Sequence, residues 1–423
     1  MKETEKFHKE FLANGIRVVT EEVPGVRSAT VGIWVNVGSC CEKEGLGGVS
    51  HFVEHMIFKG TPQRTAREIS ETIDRTGGDL GAFTGKEQTC YYVKVTGEHI
   101  KVAIELLADI LKNSLFVDEE FERERGVILE EIRMYEDTPD ELIHDFFIST
   151  ALPDHSLGKP VIGNNTSITK LPRTSLLDYY KNHYTPDKAI ISVAGNIDHI
   201  KVMELIAENF GTFAGSPWVL SNDAPEIKRS INNKEKDTEQ VHICLGTKGV
   251  SVTSPERFTA SVLDTILGGG MSSRLFYEIR EKRGLAYHIS SYSSFFRPCG
   301  LFTVYCGTSP QNLSQIISLV TEEFKKIKNE LIDEKELSKA KEQLKGGLLL
   351  ALENTAHRMS RLAKQEAYFE RFFSTDEIIE MVDKVTAKDV MELSQKIFLP
   401  ETLCCATIGP LSSKDIAKIE LSC

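Results

Sequence analysis

A segment and its echo constrain this chain more than any single motif does. Residues 78–111, GDLGAFTGKEQTCYYVKVTGEHIKVAIELLADIL, read as strand, turn, strand and helix. Residues 286–324, AYHISSYSSFFRPCGLFTVYCGTSPQNLSQIISLVTEEF, repeat that order. The flanks repeat too. GIRVVTEEVPGVRSATVGIWVNVG reads as two strands around a turn at Pro24-Gly25, followed by helices over about 47–59 and 65–76. In the second half VHICLGTKGV reads as a strand, SPERFTASVLDTILGG as a helix closed by glycines, and SSRLFYEIREK as another helix. At 423 residues the chain exceeds what one ordinary core supports. The expected fold is therefore α+β, with two homologous domains from an internal duplication, each a mainly antiparallel sheet with helices packed on it. The expected bounds are 1–212 and 238–423, joined by a linker at 213–237 rich in Gly, Pro, Ser, Asn and charge.

Charge and cysteine usage narrow the function classes. A formal charge of -12 has the wrong sign for a nucleic-acid binder and suits an acidic cavity that attracts cationic ligands. No apolar run reaches the roughly 18 to 20 residues of a membrane span, and the opening MKETEKFHKEFLANG has no apolar core for export. A cytoplasmic protein with no membrane partner is expected. Nine cysteines fall as two adjacent pairs, Cys40-Cys41 and Cys404-Cys405, and five singles. Neighbouring cysteines seldom bridge each other and an odd total closes no disulfide set, so reduced thiols are expected. The absence of a CxxC argues against a thiolate zinc finger.

The two halves differ in chemistry. The first contains SHFVEHMIFKG, in which His51, Glu54 and His55 interrupt an apolar segment, and the second offers no such cluster. On a helix, residues four apart lie about 40° apart around the axis and about 6 Å along it, so both imidazoles can address one ion. Glu54 lies on the same side and can act on a water that a metal has acidified. The order H-x-x-E-H reverses the HExxH motif. The alternative is an ordinary polar edge flanking Phe52, Val53, Met56, Ile57 and Phe58.

Two histidines cannot hold a catalytic zinc, which takes three protein ligands and leaves one position open. FERERGVILEEIRMYED is the best source of the third. Phe121, Ile128, Ile132 and Tyr135 share one helical stripe, with Glu124 and Glu131 near its centre, whereas Glu130 points away. Carboxylates on a buried stripe are costly unless paired or metal-bound. Glu131 is thus the expected ligand and Glu124 its supporting acid or an alternate ligand. A buried salt bridge from Glu124 to Arg123 or Arg125 is the competing reading.

GGVSHFVEHMIFKGT, GAFTGKEQTCYY and FERERGVILEEI resemble the M16 peptidases (the pitrilysin family, or inverzincins), in particular the processing-peptidase branch and its bacterial homologues. Their signature places a ligand glutamate about 75 residues beyond H-x-x-E-H, and here 75 residues lie between His55 and Glu131. The resemblance covers essentially the whole chain. It implies one zinc held by His51, His55 and Glu131, with Glu124 behind the ligands and Glu54 as the base that later protonates the leaving amine. It also implies that Ala82-Phe83-Thr84 is an edge strand to which an unfolded peptide adds as a further strand. Arg280 and Tyr287 match a pair that binds substrate carbonyls and steadies the oxyanion. Glu141 and Asp145 match acids that recognise an arginine beside the cleaved bond, although acids at that spacing also fit a solvated helix face.

One departure is clear. The family often carries Asn-Ala-Phe/Tyr-Thr-Ser at the edge strand, whereas Gly81 and Gly85 flank Ala82-Phe83-Thr84 here, which removes one side-chain contact to the peptide. The expectation is a zinc metalloendopeptidase acting as a homodimer on unfolded peptides or N-terminal extensions, some containing arginine. The rival is a non-catalytic scaffold subunit of the same fold.

Overall fold

The computed structural model describes residues 6–219, 223–417 and 419–423, so residues 220–222 of the expected linker lie outside the described residues. Among the described residues eleven strands form two sheets. The first comprises β1 (Lys6–Phe11), β2 (Arg17–Glu22), β3 (Ser28–Val35), β4 (Asp79–Thr84), β5 (Thr89–Thr96) and β6 (Ala189–Gly195), in the order β1-β2-β6-β3-β5-β4. The second comprises β7 (Ser230–Glu235), β8 (Val241–Lys248), β9 (Ala286–Phe295), β10 (Gly300–Thr308) and β11 (Cys404–Gly409), in the order β7-β11-β8-β10-β9.

Apart from β1 the two orders superimpose, with β2, β6, β3, β5 and β4 answering to β7, β11, β8, β10 and β9. In each sheet only the pair at the β2 or β7 end is parallel, β2 with β6 and β7 with β11. Every other pairing is antiparallel. The fold is α+β with two related domains, as the repeat implied. β2 and β3 flank Pro24-Gly25 but do not pair as a hairpin, because β6 inserts between them. The run AIISVAG is buried along its whole length, which suits a central strand covered on both faces. β7 lies inside the 213–237 segment that composition marks as linker. An edge strand with a wet face needs no apolar alternation, so SINNKE carries no strand signal.

Contacts divide the chain into two compact units that are not contiguous in sequence. The first holds residues 1–133, 160–221 and 350–374, and the second 134–159, 222–349 and 375–423. The helix Pro139–Ala151 thus packs on β8 and β11, while the helix Thr355–Phe369 packs on β2, β3 and β6. The repeated halves have exchanged corresponding helices.

In the first unit the exchanged helix is fixed by shape and by charge. Trp34 Nε1 donates to Met359 Sδ at 3.1 Å, and a Cβ at Gly32 would come within 2.3 Å of that sulfur. Buried Glu366 takes Lys9 at 2.8 Å and Arg17 at 3.6 Å, and Arg358 pairs with buried Glu21. Breaking one partner of such a pair leaves a buried charge uncompensated, a cost of several kcal/mol. In the second unit Val241, Ile243, Leu245, Phe302, Val304, Phe324 and Phe398 join one core between the sheet and its helices. Among the described residues no helix is long and apolar enough to cross a membrane.

Candidate metal centre

The motif lies on the helix Val49–Ile57. Its first turn starts from Gly48 at φ 89°, where a side chain would be strained and a Cβ would approach the Ile162 carbonyl oxygen at 2.6 Å. Buried Glu42 caps that turn, accepting from Gly48 N at 2.8 Å and Ser50 N at 2.9 Å. These contacts satisfy amides that a helix start leaves unpaired and place negative charge at its positive end. Phe52, Val53, Met56 and Ile57 are fully buried. Phe52 stacks on Phe121 with ring centroids 4.7 Å apart, seating the helix against Asp118–Glu136.

That seating brings together the residues expected as ligands. One donor atom from each of His51, His55 and Glu131 falls within 4.8 Å of the others. Glu131 Oε1 is 3.7 Å from His51 Nε2 and its Oε2 is 3.5 Å from His55 Nε2, so the carboxylate faces both imidazoles. Burial pushes His51 down to about 3, with His55 adding to the effect. It is therefore a neutral imidazole with a free lone pair at neutral pH, the form a metal requires. Glu124, with only 4% of its side chain exposed, meets His55 Nδ1 at 3.1 Å and Lys59 Nζ at 2.7 Å. A proton on Nδ1 donating to Glu124 leaves Nε2 directed at the donor group. Two imidazoles and a carboxylate, with a carboxylate behind one imidazole, fit zinc.

The arginines named in the competing reading pair elsewhere. Arg123 pairs with Glu119 and Glu120, and Arg125 with Glu122, so neither takes Glu124. Glu130 is 71% exposed and pairs with Arg133. Lys59 is a contact that sequence reasoning missed. Its position four residues after His55 is the signal that was available.

Glu54 stands beside the donors. Burial raises its carboxyl above the ordinary range, and a hydrogen bond from Thr84 Oγ1 partly offsets this. Thr84 ends β4, an edge strand that among the described residues is bonded only to β5, so its outer backbone groups have no strand partner there. Ala82 and Phe83 precede it, and Phe83 meets Trp34 edge-on at 5.3 Å while remaining 42% exposed.

The remaining expected site residues fall in the second unit. Arg280 is the penultimate residue of a π-helical turn, Phe276–Glu281, after which Lys282 N bonds to Tyr277 O five residues back. Such turns recur at functional sites. The Arg280 guanidinium lies 4.9 Å from the ring centre of Tyr287, which is 78% exposed on the edge strand β9. Glu141 and Asp145 lie on the helix Pro139–Ala151, where Tyr135 OH donates to Asp145 Oδ2 at 3.1 Å and to the Glu141 carbonyl at 3.2 Å.

Fold and donor set together define a duplicated α+β frame of metallopeptidase type. The family model described as Insulinase (Peptidase family M16) matches residues 17–165, and that described as Peptidase M16 inactive domain matches residues 170–344. The chain is 41% identical to the uncharacterized zinc protease YmxG of Bacillus subtilis over 94% of this chain and 97% of that one. It is 39% identical to an uncharacterized zinc protease of Streptomyces coelicolor over 96% and 90% respectively. A protease from Helicobacter pylori superimposes with a TM-score of 0.88 at 23% identity, covering 96% of this chain and 100% of that one. Complex III2 from Candida albicans, with Inz-5 bound, does so at 0.85 and 20%, covering 97% and 99%. The chain belongs to peptidase family M16. The relatives' names support zinc-dependent peptidase activity.

Proposed function

We propose that the chain is a zinc metalloendopeptidase that hydrolyses unfolded peptides or N-terminal extensions. The observation that carries this reading is the convergence of His51, His55 and Glu131 within 4.8 Å, with half-buried Glu54 alongside. Bound to those three residues, one zinc ion per chain would supply a Lewis acid for the scissile carbonyl and acidify water. Glu54 takes the proton of the attacking water and returns it to the leaving amine, and its raised affinity for a proton suits both steps. Thr84 positions Glu54 through its hydroxyl. The outer edge of Ala82-Phe83-Thr84 holds the peptide as an added strand, so most affinity is main-chain and tolerant of sequence. Arg280 and Tyr287 bind substrate carbonyls and steady the oxyanion. Glu141 and Asp145 favour arginine next to the cleaved bond. The working form is a cytoplasmic homodimer.

Metal analysis and peptide cleavage with Glu54→Gln test this. The variant should keep about one zinc per chain while turnover falls by about 10² to 10⁴. Unchanged cleavage would overturn the role of Glu54, and a wild type without zinc would favour the scaffold reading.

A further inference from the structure

The two adjacent cysteine pairs are held in opposite ways. Cys404 and Cys405 lie in β11, where neighbouring side chains point to opposite faces. Cys40 and Cys41 lie in a single helical turn, Ser39–Cys41, with their sulfurs 3.9 Å apart. That turn connects two parts of the metal centre. On one side, Ser39 N bonds to Gly85 O at 3.1 Å and Cys40 N to Lys86 O at 2.8 Å, which ties it to the loop just after Thr84. On the other, Cys41 is followed by Glu42, whose carboxylate caps the helix bearing His51.

We propose that Cys40 and Cys41 are a redox modification site, oxidised by a small peroxide to a vicinal disulfide that loosens the His51 helix. The cysteines are 9% and 8% exposed, which favours hydrogen peroxide over a protein oxidant. The two sulfurs share a hydrogen bond, which favours the thiolate at Cys41 and disfavours it at Cys40. The Cys41 thiolate attacks peroxide, the O–O bond breaks, and Cys41 sulfenic acid and hydroxide form. Cys40 sulfur then attacks Cys41 sulfur, the S–O bond breaks, and the departing hydroxide becomes water. In sum two thiols lose two electrons and one peroxide becomes two waters. Neighbouring Cα atoms lie about 3.8 Å apart, below the usual disulfide span of about 4.4 to 6.8 Å, so closure must twist the 40–41 peptide. The bonds Cys41 N to Gly38 O and Glu42 N to Ser39 O cannot both survive that twist, and Glu42 shifts with them. A strained bridge of this kind is readily reduced, so the change is reversible.

The test treats the full-length protein with hydrogen peroxide and digests it with trypsin. The peptide Ser28–Lys43 contains Cys40 and Cys41 and no other cysteine. It should become about 2 Da lighter and resist alkylation until a dithiol is added. Amide exchange at Gly48 and Ser50 should rise in the oxidised protein and return on reduction. Cys41→Ser and Cys40→Ser should each abolish the mass change and the exchange response. A peptide that gains oxygen instead of losing two hydrogens, or stays unmodified, overturns the proposal. A lighter peptide with unchanged exchange at Gly48 and Ser50 overturns the coupling. The effect on catalysis rests on the peptidase reading, with the rate expected to fall on the order of 10- to 100-fold. If the mass and exchange changes occur but neither form cleaves peptides, it is the peptidase reading that fails.

Discussion

The helix Val49–Ile57 buries Phe52, Val53, Met56 and Ile57, and in the second unit Arg257–Leu267 buries Val262, Leu263, Ile266 and Leu267 in the same rhythm. Aligned on those residues, His51 and His55 answer to Ser261 and Thr265, and Glu54 to Asp264. The ligand helix behaves likewise. Matching the buried Phe121 with Leu337 places Glu124 opposite Ala340 and Glu131 opposite Gly347. Both helix acids still take a hydrogen bond from a hydroxyl of their own edge strand, Glu54 from Thr84 and Asp264 from Ser291. What distinguishes the units is the donor set. Packing preserves the frame in both, and five positions on it, those of His51, Glu54, His55, Glu124 and Glu131, differ between the units.

The largest effect expected from breaking this contrast is at the ligands. His55→Ala should abolish tight zinc binding and lower turnover by about 10⁴ or more, whereas Thr265→Ala should leave both unchanged. Retained zinc in His55→Ala, by metal analysis after dialysis, would contradict the assignment. Next comes Glu124→Gln, which removes the negative charge beside His55 Nδ1. Zinc affinity should fall about 10- to 100-fold in a chelator competition, and an unaltered affinity would make Glu124 merely structural.

Thr84→Val should lower kcat about tenfold with KM nearly constant, and Thr84→Ser should restore it. A loss confined to KM would instead assign Thr84 to peptide docking. The smallest effect concerns Asp264, which burial raises to about 6 against the Ser291 hydroxyl and the Ser293 amide. Because the folded value is raised, the protonated acid favours the folded state. Its contribution is fully present below 3.8 and is lost as pH rises through about 6. Asp264→Asn should flatten that slope in urea melts, by a few kcal/mol at most. An equally steep slope would show that another group is responsible.

Much of this was legible in the sequence because the informative features are local. His51 and His55 share a helix, and Glu131 was selectable over Glu130 because a helical stripe fixes which carboxylate turns inward. The repeat disclosed the fold because each copy must bury the same faces in the same order. The helix exchange was not legible. An amphipathic stripe on Pro139–Ala151 or Thr355–Phe369 says that a helix is covered, and not by which sheet. β1 and β7 were missed because wet edge strands such as KFHKEF and SINNKE lack alternation. The bond from Thr84 to Glu54 depends on the backbone path between distant segments, and the closeness of the Cys40 and Cys41 sulfurs depends on a local turn, and no periodicity records either.

The central claim is that one unit binds zinc and its duplicate does not. Metal analysis of the purified wild type beside His51→Ala tests it most directly. About one zinc per wild-type chain and close to none in the variant is the predicted result. Two zinc ions per chain, or one that survives loss of His51, would contradict it.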